Sequence, residues 1–216
     1  GSMCDILEAT MKQLLSLVMF CDKVGIPFDV YAFTNEWSSD FDRNIKEELQ
    51  PNTIHLGRDF TMMNILTSNV NRKELQRQMQ TMFVIASSYS SRSFDIVPRR
   101  VGLSGTPLNE ALVTIREILP QFKTNKGVEK AHVMILTDGE AAQSRVAKMQ
   151  PVYTGGEELR ITRLYSNNLY LRNRKTGTIR KVSTYMNPTQ SLTTSLIEDL
   201  KNEFPESSFT GFRILE

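Results

Sequence analysis

Ala131-His132-Val133-Met134-Ile135-Leu136-Thr137-Asp138-Gly139-Glu140 is the stretch on which the reading of the fold turns. Its apolar part is short, bounded by Lys130 on one side and by Thr137-Asp138-Gly139 on the other. A run of that kind fits a strand buried on both faces, as in a parallel sheet. Upstream lies Gly102-Leu103-Ser104-Gly105-Thr106-Pro107-Leu108, followed by Ala111, Leu112, Ile115 and Leu119 at helical spacing. Pro107 can take a first helical position, since its missing N–H has no partner there in any case. Downstream, Leu192, Leu196, Ile197 and Leu200 predict a helix over about 190–203, and Phe209 to Leu215 a last strand.

The same periods run through the N-terminal part. Leu7, Met11, Leu14, Leu15, Val18, Cys21 and Val24 predict a helix over 5–24, ended by Gly25 and Pro27. Residues 27–33 alternate and are rich in β formers, which predicts a strand. Residues 34–58 read as a polar, exposed excursion, Phe60 to Leu66 as a second strand and 72–87 as a helix. Helix and strand alternate, so the expected class is α/β, a doubly wound, Rossmann-like, mostly parallel sheet flanked by helices. The departure lies at 158–186, where Leu169–Arg172 and Thr178–Val182 flank a Lys175-Thr176-Gly177 turn. That segment is expected to be a β-hairpin inserted into a single domain spanning 1–216.

Composition narrows the function classes. The chain has 216 residues with 26 Lys+Arg against 24 Asp+Glu and 40% hydrophobic residues, long enough for a real core and unlike disordered or coiled-coil chains. A net charge of +2 is too mild to argue for nucleic acid by itself. Leu14 to Cys21 is interrupted by Ser16 and flanked by Lys12 and Asp22, so no spanning helix and no membrane partner is expected. Gly1-Ser2-Met3-Cys4-Asp5 lacks the basic start of a secretory signal. Cys4 and Cys21 fall in one helix, about 25 Å apart at ~1.5 Å per residue, beyond disulfide reach. Both read as small buried apolar residues, and a cytoplasmic setting is the expectation.

In open α/β sheets, ligands bind outside the carboxyl ends of the strands, which is where Asp138 stands. Thr106 precedes a helix and can face the same crevice, and carboxylate with hydroxyl oxygens suits Mg²⁺. The plainer alternative is that Thr106 caps its helix while Asp138 sits in a strand-to-loop turn.

Ser104-Gly105-Thr106-Pro107-Leu108-Asn109-Glu110-Ala111-Leu112, followed by Val133-Met134-Ile135-Leu136-Thr137-Asp138-Gly139-Glu140, resembles a von Willebrand factor A domain over nearly the whole chain. In that family a metal-ion-dependent adhesion site is built from an Asp-x-Ser-x-Ser loop, a Thr loop and an Asp loop. The resemblance implies Thr106 and Asp138 as metal-binding residues. Many members read Asp-x-Ser-Gly-Ser-Met at the first element, and this chain opens Gly1-Ser2-Met3. That coincidence favours a fragment cut inside the metal loop, with Ser2 as a further ligand; under the other reading Gly1-Ser2 is an added leader and Ser2 has no role. The chain is most similar to the intracellular type, the C-terminal domain of the cobaltochelatase subunit that works beside an AAA+ ATPase, and to phage-encoded relatives of that subunit. The family's leading Asp and first Ser, and the central strand before them, have no counterpart here. A sheet without its middle strand exposes two rows of backbone polar groups, so these 216 residues alone are expected to fold poorly or to complete the sheet from another segment.

The resemblance implies a non-enzymatic, metal-dependent protein-interaction module, in which a partner's Asp or Glu completes a Mg²⁺ site. The partner class it implies is an AAA+ ATPase or a client delivered to one. No catalytic residues are expected. His55 and His132 lack the motif context of a nucleophilic site, no Asp-x-Asp phosphohydrolase loop is visible, and no phosphate-binding Gly-x-x-x-x-Gly-Lys-Ser/Thr loop occurs. The alternative reading is a nucleic-acid-binding module. Hairpin segment 169–186 holds Arg172, Arg174, Lys175, Arg180 and Lys181 with no acid, and Tyr170 and Tyr185 lie nearby.

Overall fold

A computed structural model describes residues 4–35, 49–57, 59–91, 97, 102, 105–137, 139–153, 155–164, 169–182 and 188–213. Within them run α1 (Cys4–Val24), β1 (Asp29–Thr34), β2 (Thr53–His55), β3 (Thr61–Thr67), α2 (Arg72–Ser90) and α3 (Leu108–Lys126). They continue through β4 (His132–Thr137), β5 (Arg145–Pro151), β6 (Glu157–Arg163), β7 (Leu169–Arg172), β8 (Ile179–Val182), α4 (Pro188–Glu203) and β9 (Ser208–Arg213). The protein is mixed α/β and divides into two compact units. One comprises Gly1–Ser38 with Thr61–Gly105, the other Ser39–Phe60 with Thr106–Glu216.

In the first unit, the helical stripe of α1 packs with α2 over a two-stranded ribbon. Met11, Leu15 and Val18 are buried with Leu66, Leu75 and Ala86, and Phe28, Val30, Ile65, Met79 and Met82 close in around them. Burying a Leu or Val of this kind contributes about 1.5–3 kcal/mol. α1 stops where its sequence says: Gly25 takes a φ of 73°, and Ile26 N donates to Cys21 O at 2.9 Å. α2 starts on Asn71, whose side chain accepts from Glu74 N at 2.9 Å. β1 and β3 pair antiparallel, with a register shift between Val30 and Tyr31.

The second unit is built on α3 and α4. Leu108, Ala111, Leu112, Ile115 and Leu119 are all buried, with Leu112 at 0% exposure, as their spacing requires. They share this core with Leu192, Leu196 and Leu200 of α4. Three small sheets belong to the unit: parallel β4–β9, antiparallel β2–β5–β6 and the antiparallel β7–β8 hairpin. α3 ends on Gly127 at φ 64°, and the Lys123 ammonium pairs with Glu206 beyond α4.

Three expectations change here. The described strands do not form a doubly wound, mostly parallel sheet; only β4–β9 is parallel among four small sheets. Hydrophobic period decides that a strand exists but not which strand it joins, and no described helix stands between β1 and β3 to make a parallel crossover. β6 takes up the start of the segment expected as the insertion and pairs with β5, which lies before that segment. Their turn uses Gly155 and Gly156 at φ 84° and 102°, and charged residues on both faces of the strands weaken their apolar signal. β4 is not buried on both faces. His132, Met134 and Leu136 alternate outward, and Met134 is 56% exposed, because one face has no cover among the described residues. His132 is accordingly an exposed edge residue, with Nδ1 2.6 Å from Ser208 Oγ. Cys21 is a half-buried free thiol.

Candidate functional site

The turn before α3 is shaped by three adjacent residues. Gly105 takes a φ of 62°, a conformation that disfavours any side chain, and turns the chain into Thr106-Pro107. Pro107, not Thr106, stands at the cap position, and α3 has no side-chain cap. The capping alternative for Thr106 therefore fails: its residue lies one position outside the cap. Thr106 is half-buried, and its carbonyl accepts from Leu108 N and from Ala142 N, each at 2.7 Å. The second bond ties the Thr106 turn to the loop that follows β4.

At the end of β4, the Thr137 hydroxyl donates to Gly139 O at 3.0 Å and accepts from Gly139 N at 3.3 Å. This local turn brackets Asp138, which lies outside the described residues. Further along the same loop, Glu140 accepts from the Gln190 amide near the start of α4. Ser2 also lies outside the described residues, so of the three expected metal-binding residues only Thr106 is described. Among the described residues no three His, Cys, Asp or Glu side chains gather as a metal-binding group. The expected set is different in kind, hydroxyls with a single carboxylate, and that donor chemistry fits Mg²⁺.

Behind the Thr106 turn lies a buried polar cluster that sequence spacing leaves without a role. Asn109 is fully buried. Its Nδ2 donates to Ser144 Oγ at 3.1 Å, and its Oδ1 accepts from the Thr193 hydroxyl at 2.6 Å. Asn109 thus joins the first turn of α3 to α4 and to the residue before β5. Glu110 is buried beside it, and its Oε2 has no hydrogen-bond partner among the described residues. Burial pushes its carboxyl above the ordinary range, against its own backbone N–H, Ser144 and the Arg145 charge. The Asn109-Glu110 pair inside an otherwise apolar helical start was the available signal.

The basic hairpin is held by a second buried network. Asn173 is 3% exposed; its Nδ2 donates to Asp199 Oδ2 at 3.0 Å and Glu203 Oε2 at 2.9 Å. Its Oδ1 accepts from Lys175 N at 2.9 Å and Thr176 N at 3.1 Å, which fixes the turn between β7 and β8. Arg116 of α3 pairs with the same two carboxylates of α4. Lys175 pairs with Glu203 at 3.3 Å and lies over the Phe204 ring, Arg180 pairs with Glu198 at 2.9 Å, and Arg174 bonds the Gln50 amide. Three of the five expected contact cations are therefore engaged within the fold. Tyr185 lies outside the described residues.

The first unit offers a shallow groove of about 530 Å³ lined by Glu8, Phe83, Val84 and four serines, away from these groups in sequence. No described helix is long and apolar enough to cross a membrane. The chain matches no protein-family model, no curated protein and no solved structure.

Proposed function

We propose that the protein is a metal-dependent protein-interaction module of the von Willebrand factor A type, non-enzymatic, with Thr106 and Asp138 among its metal-binding residues. One observation carries the proposal. The Ala142 N to Thr106 O bond of 2.7 Å joins the Thr loop to the loop containing Asp138, two segments more than thirty residues apart in the chain. Its support is strengthened by the Pro107 cap, which leaves the Thr106 hydroxyl without a capping task.

A bound Mg²⁺ would offer one open coordination position to a carboxylate of a partner protein. The chain's part is to present the donors. The Thr106 turn is held by two backbone bonds, and the Thr137-Gly139 turn constrains the backbone on either side of Asp138. Few fixed negative charges in such a site leave the cation under-neutralised, which favours an incoming Asp or Glu over a neutral group. The partner class is an acidic surface, and an AAA+ ATPase is the specific partner the cobaltochelatase likeness suggests. The doubly wound sheet of that family belongs to this proposal and is tested by an experimental structure of the full-length protein.

The functional test is pull-down of an AAA+ partner by the full-length protein in Mg²⁺ and then in chelator. Binding is expected in Mg²⁺ and lost in chelator, and Asp138→Ala and Thr106→Ala are each expected to weaken it at least tenfold. Ser2→Ala, run separately, reads the serine contribution. Equal capture in metal and in chelator, or an Asp138→Ala protein that binds as the parent does, defeats the mechanism.

A further inference from the structure

We propose that the outward face of the β7–β8 hairpin is a binding surface for single-stranded nucleic acid. The register pairs Tyr170 with Lys181 and Arg172 with Ile179, and in a two-stranded ribbon these four side chains share one face. All four are exposed, Tyr170 at 59% and Ile179 at 62%. The opposite face, Leu169, Leu171, Arg180 and Val182, is the buried or half-buried one, and β8 packs against α4 there.

The structure separates the hairpin's cations by task. Arg174, Lys175 and Arg180 are held by Gln50, Glu203 and Glu198. Arg172 and Lys181 make no ion pair among the described residues and stand on the face with the ring. No acidic residue lies in β7, β8 or the turn between them. The face is thus cationic and aromatic at once. A polyanion satisfies the two cations, but an acidic peptide or a duplex backbone leaves the Tyr170 ring and Ile179 in water. An unpaired base stacked on Tyr170, with its flanking phosphates on Arg172 and Lys181, meets the ring and both cations. The turn is tied down before any ligand arrives, because the Asn173 side chain bonds its amides and joins it to Asp199 and Glu203. Little ordering is then required on binding.

This inference is independent of the metal-dependent reading. The test titrates the full chain into a short fluorescein-labelled oligo(dT) and follows anisotropy across a KCl series, with and without chelator. Expected is salt-sensitive binding with a log–log slope of about −1.4, two phosphates at about −0.7 each, and no effect of chelator. Tyr170→Ala should weaken binding roughly tenfold with the slope unchanged, since a stacked base is lost and no phosphate contact is. Arg172→Glu with Lys181→Glu should abolish the salt-sensitive binding, while Arg160→Ala on β6 should leave it intact. Far-UV circular dichroism monitors folding of each variant; if the double reversal unfolds the chain, Tyr170→Ala decides. Binding that survives Tyr170→Ala unchanged, duplex bound as tightly as the single strand, or equal competition by poly-glutamate each overturns the proposal.

Discussion

Replacing Asn173 tests whether the basic hairpin is held to α4 by a charge-dependent lock or merely rests on it. Asn173→Ala removes two bonds to buried carboxylates, Asp199 at 3.0 Å and Glu203 at 2.9 Å, and two to turn amides. Bonds to charged groups contribute about 1.5–3 kcal/mol each, while the exposed turn amides regain water. Arg116 still pairs with both carboxylates, so the expected loss is about 3 to 5 kcal/mol. That is a large share of the roughly 5–15 kcal/mol that stabilises a domain. Asn173→Asp is the sharper variant. It keeps the size and the Oδ1 acceptor for Lys175 N and Thr176 N, yet brings a third carboxylate against Asp199 and Glu203. Like charges about 4 Å apart cost on the order of 4 kcal/mol at a partly buried site. The near-isosteric aspartate should therefore be less stable than the truncating alanine. Urea unfolding at neutral pH reads the order, and hydrogen exchange of the Gly177 amide, bonded to Asn173 O at 2.8 Å, reads the hairpin locally. An aspartate variant at least as stable as the alanine variant would refute the lock, as would an alanine variant within about 1 kcal/mol of the parent.

The buried Glu110 carboxyl makes the second unit sensitive to pH. Because burial raises its folded value above the ordinary 4.5, its contribution is fully present below that value and is lost as pH rises through the raised one. Glu110→Gln should flatten this decline in thermal melts taken from acid to neutral pH, and parallel curves for both proteins would contradict it. The exposed Met134, Leu136 and Phe212 of the β4–β9 ribbon predict that the protein self-associates as its concentration rises. Sedimentation velocity over a concentration series checks this, and a monomer at every concentration would sink it.

Helical spacing made most of the helices legible. Leu108, Ala111, Leu112, Ile115 and Leu119 are the buried stripe of α3, and the Gly25 stop ends α1 where the residues indicate. These signals are local, because a face that must be dry repeats every turn. The β7–β8 hairpin was legible for the same reason, through its Lys175-Thr176-Gly177 turn. Strands β5 and β6 were not, since Arg145, Lys148, Glu157, Glu158 and Arg160 put charge on both faces of the strands and leave only a weak apolar alternation.

The candidate sites divide along the same line. That Thr106 and Asp138 are the residue types for a hard cation can be read from the chain; that the Thr106 carbonyl binds Ala142 N cannot, because no sequence period links those two loops. Five basic residues are visible between 172 and 181, but which of them face outward depends on a cross-strand register and on Glu198, Glu203 and Gln50 supplied from elsewhere. By itself the sequence determined where helices and the main strands lie and which side chains carry chemistry, because those follow from neighbours a few residues away. Only the tertiary structure decided which strands pair, which cations are already neutralised and which carboxyl is buried with one oxygen unsatisfied among the described residues, because each of those depends on groups that meet in space from distant parts of the chain.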